Sequence, residues 1–368
     1  SLGLFALAWV VYVINPATAF NDPGQPALWL FIVLTLMGAL AGNVRGIALS
    51  TLVTISVPEP DRDRANGLVG SANGAAFLVA SIFSGLAIGY IGVAWMLFLA
   101  VALTLAVIAH LLTIRIEATA PTCPTSAGAP SVSSVDLSGT IRIVRLVPGL
   151  FGLIFFHTFN NFLGGVFMSL MDAYGLQLVS VQVWGVLWGF LSLGFIVGGM
   201  IVARRGLGAN PLRTLFLGNI VMWVICSVFT LLRSIELLTV GMFIWLCLIP
   251  AVEAAEQTIL QKVVPADRQG RVFGFAQSVE QAATPITAFL IGPIAQWFFI
   301  PFMTAGVGVD LIGSWFGTGT DRGLALLFTL SGVIGLIVTI LAMRTHTYRS
   351  LSAAYRSDQA QRSEPQPA

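Results

Sequence analysis

Lysine is almost missing from this 368-residue chain: Lys262 is the only one. Gln261 precedes it, so the Gly-Lys pair of a phosphate-binding loop cannot form, and ATP is excluded as the direct energy source of this polypeptide. The three cysteines, Cys123, Cys226 and Cys247, stand far apart and lack the paired spacing of a zinc site or redox dithiol. No metal, cofactor or disulfide is implied. Charged residues make up only 9% of the chain and hydrophobic ones 57%, too little polar surface to coat a soluble globule of this size. The arginines are scattered over separate loops, which argues against a nucleic-acid surface. There is no His-Glu-x-x-His element and no motif that singles out a nucleophile and its base, so the chain does not read as an enzyme.

What is abundant is apolar sequence in runs close to the roughly 20 residues a spanning helix needs. They occur at 27–52, 67–92, 93–114, 147–170, 183–203, 214–232, 237–263, 272–300 and 323–343. A tenth, Ser1 to Ile14, is short and opens at full hydrophobicity without a basic leader. The reading is therefore an all-α, multi-pass membrane protein.

The stretch Val57-Pro58-Glu59-Pro60-Asp61-Arg62-Asp63-Arg64-Ala65-Asn66-Gly67 returns as Val264-Pro265-Ala266-Asp267-Arg268-Gln269-Gly270-Arg271-Val272-Phe273-Gly274. At the same offset Ser71 meets Ser278, Ala76 meets Ala283 and Gly85 meets Gly292, so the repeat runs on into the next apolar span. Parallel repeats of several spans characterise secondary transporters, whose substrate site lies between the halves near mid-membrane. Two second-half spans, 147–170 and 183–203, map by this offset to positions before residue 1. The expectation is four spans of the first half and six of the second, with two more preceding Ser1. The corresponding divisions are a first half-bundle at 1–116, a Pro/Ser/Thr-rich cytoplasmic linker at 117–146, a second half-bundle at 147–346 and a polar tail at 347–368. Within the linker, 137–147 carries Ile141, Val144 and Leu146 with Arg142 and Arg145, the pattern of a short interfacial helix.

Basic residues collect in cytoplasmic loops. With the loop at 58–66 inside, nearly every arginine falls inside too, and only Arg233 and Arg322 fall outside. The C-terminus is then cytoplasmic. The segment from Pro301 to Arg322 becomes an outside loop with five glycines, read as a mobile loop on the headgroups or, less simply, as a lid or a partly membrane-embedded segment. Small residues at four-residue spacing, Gly70 and Gly74, Ser81, Gly85 and Gly89, Gly185 and Gly189, and Gly194 and Gly198, predict close helix packing.

The segment Gln261-Lys262-Val263-Val264-Pro265, followed by Gln269-Gly270-Arg271-Val272-Phe273-Gly274, resembles the loop between the tenth and eleventh helices of the major facilitator superfamily, in its macrolide-efflux-like drug/proton antiporter branch. The loop from Gly199 to Gly206 is similar to the family's signature loop at Gly199, Arg204 and Gly206, and departs from it at Ala203 and Leu207. In the fifth helix Leu86, rather than proline, follows Gly85. The resemblance implies two pseudo-symmetric six-helix halves in the cell inner (plasma) membrane. It implies cytoplasmic gating loops containing Arg62, Arg64, Gly199, Arg204, Gly206, Arg268 and Arg271.

A charge within a membrane span costs about 3 kcal/mol or more, so it faces a cavity or a partner and serves a function. Four such charges stand out: Arg45, Glu253, Glu256 and Glu280. Arg45 and Glu253 lie at nearly matching depths of the two copies, and Glu253 and Glu256 are three apart on one helix face. The expectation is that Glu253 or Glu256 carries a coupled proton, with Arg45 competing for the carboxylate or for an anionic part of the substrate; the alternative is a buried charge pair that locks the halves or tunes their opening. Glu280 faces the same cavity or lies at a helix end. His157, Asn160 and Asn161 crowd one turn and point inward, either to line a substrate cavity or to bond neighbouring helices. Pro250 and Pro285 are expected to interrupt the helices beside the acidic cluster. The function expected is secondary active transport, as proton-coupled efflux of a hydrophobic or amphipathic small molecule. Alternatives are metabolite uptake by symport and a non-transporting receptor or scaffold. The partners are the small-molecule substrate, the coupling proton and the lipid bilayer, with a monomer favoured.

Overall fold

Backbone polar groups cannot stay unpaired in hydrocarbon, so an apolar chain of this kind resolves into helices that satisfy their own hydrogen bonds. The computed structural model describes residues 2–20, 22, 24–90, 93–113, 141–142, 144, 149–208, 210–264, 268–345 and 348; the side chains at 17, 39–40, 43–45, 47 and 81–90 fall outside that description. The helices are α1 (Leu2–Ile14), α2 (Pro26–Ser56), α3 (Arg62–Tyr90), α4 (Val93–Thr113), α5 (Leu150–Gly175), α6 (Val181–Arg205), α7 (Pro211–Val228), α8 (Ile235–Val263), α9 (Gln269–Ile294), α10 (Ile300–Thr304), α11 (Val307–Phe316) and α12 (Thr320–Arg344). Among the described residues each of the nine long apolar windows overlaps a helix, and that at 272–300 runs from α9 through the turn Ala295–Phe299. Among the described residues, seven helical stretches are long and apolar enough to cross a membrane: α4, α5, α6, α7, α8, the run Gln269–Thr304, and α12. The expected linker and tail, and most of the expected interfacial helix, lie outside the described residues.

The chain divides into two compact units, residues 1–56 with 78–127, and residues 57–77 with 128–368. In the first, α1 packs on α2 and α4. Tyr12, Phe20 and Phe31 form an aromatic group there, with Tyr12 and Phe20 ring centroids 4.8 Å apart. In the second unit α5 packs on α9 and α12, α8 packs on α6 and α7, and α7 packs on α12. Phe167 stands at the centre of its core, stacked at 5.1 Å on Phe328 and at 5.9 Å on Phe229. The first sixteen residues of α3 belong to this unit.

Local chemistry sets the helix ends. Ser180, Asn210 and Ser234 accept from the backbone N–H groups of Val183, Arg213 and Leu237, three positions on, which satisfies donors that a helix start leaves free. α6 ends at Gly206, whose φ of +68° lies in the left-handed region that glycine enters without steric cost.

Two expectations are corrected. Pro250 and Pro285 do not break their helices: α8 and α9 run through them. The irregularity comes later, where the π-turn Ala295–Phe299 joins α9 to α10. Nor is 301–322 a mobile loop. It folds as α10, α11 and the start of α12, because Met303 and Phe316 are buried and Phe302 and Ile312 pack against the same core. Val307, Leu311 and Trp315 form the exposed stripe of α11. Arg322 is 2% exposed and donates to the carbonyls of Phe316, Thr230 and Leu231. Its neighbour Asp321 pairs with Arg233 at 3.3 Å.

Glycine packing divides along the same lines. A Cβ at Gly70 would meet that of Pro250 at 3.0 Å, one at Gly194 would meet the Phe243 carbonyl oxygen at 3.0 Å, and Gly198 lies against the Cys247 carbonyl. Gly185 and Gly189 have nothing within 4 Å and take no part in such packing.

Candidate functional site

Three ionisable side chains from separate helices converge inside the second unit. His157 on α5 places Nε2 2.7 Å from Oε2 of Glu256 on α8. Glu280 on α9 is buried in the same unit. The three are 8%, 4% and 7% exposed, so water does little to screen them. Nδ1 of His157 and Oε1 of both glutamates have no hydrogen-bond partner among the described residues. The arrangement can therefore hold a proton in more than one place. Glu253, one turn before Glu256, is exposed, so the two glutamates share a helix but not an environment.

The close approach of α5 and α9 that builds this cluster has its own polar seam. Thr287 Oγ1 donates to the Phe162 carbonyl at 2.7 Å, and the Cβ of Thr287 stands where a Cβ on Gly165 would come within 2.9 Å of it. Asn160 is engaged in helix packing: its Oδ1 accepts from the Trp223 indole at 2.7 Å and its amide nitrogen donates to the Phe156 carbonyl. Asn161 is half-buried. Arg45 lies on α2 in the first unit, and its side chain falls outside the described residues. Elsewhere in the same unit is an apolar recess lined by Phe167, Met171, Trp188, Phe229, Met242 and Trp245, among others.

A second constellation gathers where residues 57–77 meet α6 and α8. Asp63 accepts from the backbone N–H of Leu207 at 2.9 Å and lies against Gly206. Asn66, 8% exposed, donates to Thr258 at 3.0 Å and to Gln261 at 3.1 Å. Lys262 Nζ is 3.7 Å from Glu59 Oε1. Gln269 donates to the carbonyls of Gln261 and Val264, both at 3.0 Å. Backbones here nearly touch: a Cβ at Gly67 would lie 2.6 Å from the Ala203 nitrogen, and Gly199 lies against Ser71.

Of the expected gating residues, Gly199 and Gly206 form part of these contacts. Arg62 donates to its own segment's Val57 carbonyl, Arg64 pairs with Asp61 at 3.6 Å, and Arg204, Arg268 and Arg271 are exposed. Sequence reasoning missed Asp63, Asn66 and Gln261. A signal existed for Asn66: it occupies the repeat position of Phe273, which is 1% exposed, so a polar residue stands where the other copy has core.

Helices of bilayer-spanning length packed around buried, mutually bonded charges define a multi-pass membrane protein with a polar interior. The chain belongs to the Major Facilitator Superfamily, whose profile it matches over residues 1–288. Its fold is similar to the crystal structure of the human organic anion transporter MFSD10 (TETRAN), with a TM-score of 0.62 and 17% identity, covering 93% of this chain and 75% of that one. It is also similar to a bacterial homologue of the human lysosomal transporter Spinster in an inward-facing, unoccupied conformation, with a TM-score of 0.48 and 16% identity over 99% of this chain and 85% of that one. At such identities the likeness speaks to the fold alone. No curated protein matches the sequence.

Proposed function

We propose that the chain is a secondary active transporter that exports a hydrophobic or amphipathic small molecule in exchange for protons, in the manner of the macrolide-efflux-like branch. The observation that carries this reading is the His157–Glu256–Glu280 cluster. Burying three ionisable groups is unfavourable unless they pair or serve a function, and the His157–Glu256 pair leaves His157 Nδ1 and Glu280 Oε1 without partners among the described residues. A proton held there gives the site a load that can be taken up and released. Glu253, exposed one turn away, is the group through which the cluster exchanges with the aqueous pathway. In this reading the constellation around Asp63, Asn66 and Gln261 is the cytoplasmic gate, the membrane is the cell inner (plasma) membrane, and the C-terminus is cytoplasmic. The two halves contribute four and six of the spans in this chain, and Arg45 serves the first half.

Proton flux in inside-out vesicles carrying the full-length protein tests the proposal, with a pH-sensitive dye and a panel of lipophilic cations, macrolides and anionic metabolites. Substrate-triggered proton release that is lost in Glu256→Gln or Glu280→Gln is the expected result. Unchanged proton-driven transport in both variants would sink the assignment of the carrier. Silence across the panel in folded, inserted protein counts against coupled export.

A further inference from the structure

In the last turn of α5 a carboxylate is held by aromatic side chains rather than by a base. Asp172 is exposed, and its Oδ1 accepts from the indole N–H of Trp184 at 2.9 Å and from that of Trp188 at 3.1 Å. Among the described residues these two neutral donors are its side-chain partners, and both act on one oxygen, so Oδ2 is left unengaged. The adjoining turns of α5 and α6 carry the exposed apolar residues Met168, Leu176, Val181 and Val183. A charge in such company is costly and is kept for a purpose. Tying α5 to α6 is not purpose enough, because a neutral amide oxygen would receive the two indoles as well.

The surroundings of Asp172 say what would pair with it. Trp184 and Trp188 are one turn apart, and their rings meet edge to face with centroids at 6.1 Å. Trp184 is buried, its ring filling the space beside Gly175, while Trp188 is half-buried and has the Phe77 ring of α3 at 6.3 Å. The carboxylate therefore sits in a corner of aromatic rings. Trp188 is also a wall of the apolar recess, as are Met168 and Met171, which precede Asp172 on α5. Met168 and Asp172 are four residues apart and share a helix face, which puts the charge at the rim of that recess. Its empty space of about 320 Å³ is at the small end of the range for ligand pockets.

We propose that Asp172 and the recess beside Trp188 form a binding site for a small amphipathic organic cation, an apolar body bearing a quaternary or protonated amine. The amine pairs with Oδ2, and the neighbouring rings of Trp188 and Phe77 add cation–π attraction. The body enters the recess, where Met168, Met171 and Met242 adapt to its outline. An anionic ligand is repelled by the same carboxylate. Asp172 lies fifteen residues beyond His157, about 22 Å along α5, and the site falls wholly within the second unit. It is thus separate from the His157–Glu256 pair and does not rest on proton coupling. The ammonium of a lipid headgroup has the chemistry of the amine, but the recess calls for a ligand whose apolar body is directly attached and compact.

The test is equilibrium binding of radiolabelled benzyltrimethylammonium to the full-length protein in phosphatidylglycerol nanodiscs, with empty nanodiscs as the blank. Saturable binding is expected, and tetramethylammonium, which lacks the apolar body, should compete about tenfold more weakly. Asp172→Asn keeps an acceptor for both indoles and removes the charge, so it should melt with the parent yet bind about tenfold more weakly or worse. Asp172→Glu restores the charge and should retain most of the binding. Parent-like affinity in the Asn variant, or weakening in the Glu variant equal to that in Asn, overturns the role of the carboxylate. Equal competition by the two cations overturns the recess as the seat of the body. Binding that vanishes when phosphatidylcholine replaces phosphatidylglycerol assigns the corner to the lipid's own ammonium and overturns a soluble ligand, as does an absence of saturable binding to the parent. Because binding is read without transport, each of these results stands apart from the outcome of the proton-flux experiment.

Discussion

Arg62 and Gln269 occupy equivalent positions of the internal repeat, and each turns a side-chain nitrogen back onto the carbonyl five residues earlier. Arg62 Nε donates to Val57 at 3.3 Å and Gln269 Nε2 to Val264 at 3.0 Å. The residue types differ while the bond is kept, so what the repeat preserves is a way of closing the turn before a helix. Gln269 adds a second bond, to Gln261, and is buried where Arg62 is half-buried.

That difference in burial predicts unequal consequences. Gln269→Ala leaves two interior carbonyls without their donor and is expected to destabilise the protein by about 1–3 kcal/mol, whereas Arg62→Ala has a smaller effect because water can replace the lost donor. Thermal unfolding of the two variants in detergent, followed by helical circular dichroism, gives the order; a lower midpoint for the Arg62 variant would contradict it.

Gly199→Ala is expected to disturb the contact between α6 and α3. The new methyl group meets the backbone of Ser71 and the Gly67 carbonyl, which cannot move aside as a flexible side chain would. Overpacking of this kind costs about 1–3 kcal/mol. Gly185→Ala, on the same helix with open space around it, is the matched control and should melt with the parent protein.

Arg322 fans its guanidinium over three carbonyls and lies 4.2 Å above the Phe316 ring, tying the ends of α7 and α11 to the start of α12. Arg322→Gln should cost about 3 kcal/mol or more. Arg322→Lys should recover little of that, because an ammonium cannot present a planar fork to several acceptors at once. Denaturant titration of the three proteins distinguishes a need for shape from a need for charge.

Asp63 joins the α3 start to the turn after α6 through one charge-assisted bond to Leu207. Asp63→Asn keeps an acceptor and loses the charge; Asp63→Ala loses both. Transport in proteoliposomes should change in the order parent, Asn, Ala, with the larger change at the second step. Equal rates in all three would remove Asp63 from the gate.

Much of the helical framework was legible because lipid makes the rule simple: a run of apolar residues of spanning length must be helical, and among the described residues each of the nine windows is mostly so. The buried charges were legible for the same reason, since Glu256, Glu280 and His157 each stand out against apolar neighbours. That they meet was not legible, because positions 157, 256 and 280 have no local periodicity in common and only the packing of α5, α8 and α9 joins them. The segment 301–322 was misread because its glycines suggest a loop, while Phe302, Met303, Ile312 and Phe316 are too dispersed to show a period and become a face only once folded. Pro250 and Pro285 were overweighted: neighbouring helices hold the chain helical through both.

The π-turn at Ala295–Phe299 keeps one side of a long rod in phase with the core. Four-residue steps along α9, from Ala283 through Thr287 and Ile291 to Ala295, each advance the buried face by about 40°. Left uncorrected, that drift would carry Met303 away from the interior it fills. A turn wound one residue wider takes part of the drift back. The position is therefore sensitive to length more than to side-chain identity: deletion of a single residue between 295 and 299 should rotate α10 out of register and expose Met303, while apolar exchanges at the exposed Trp297 or Phe298 leave the phase intact.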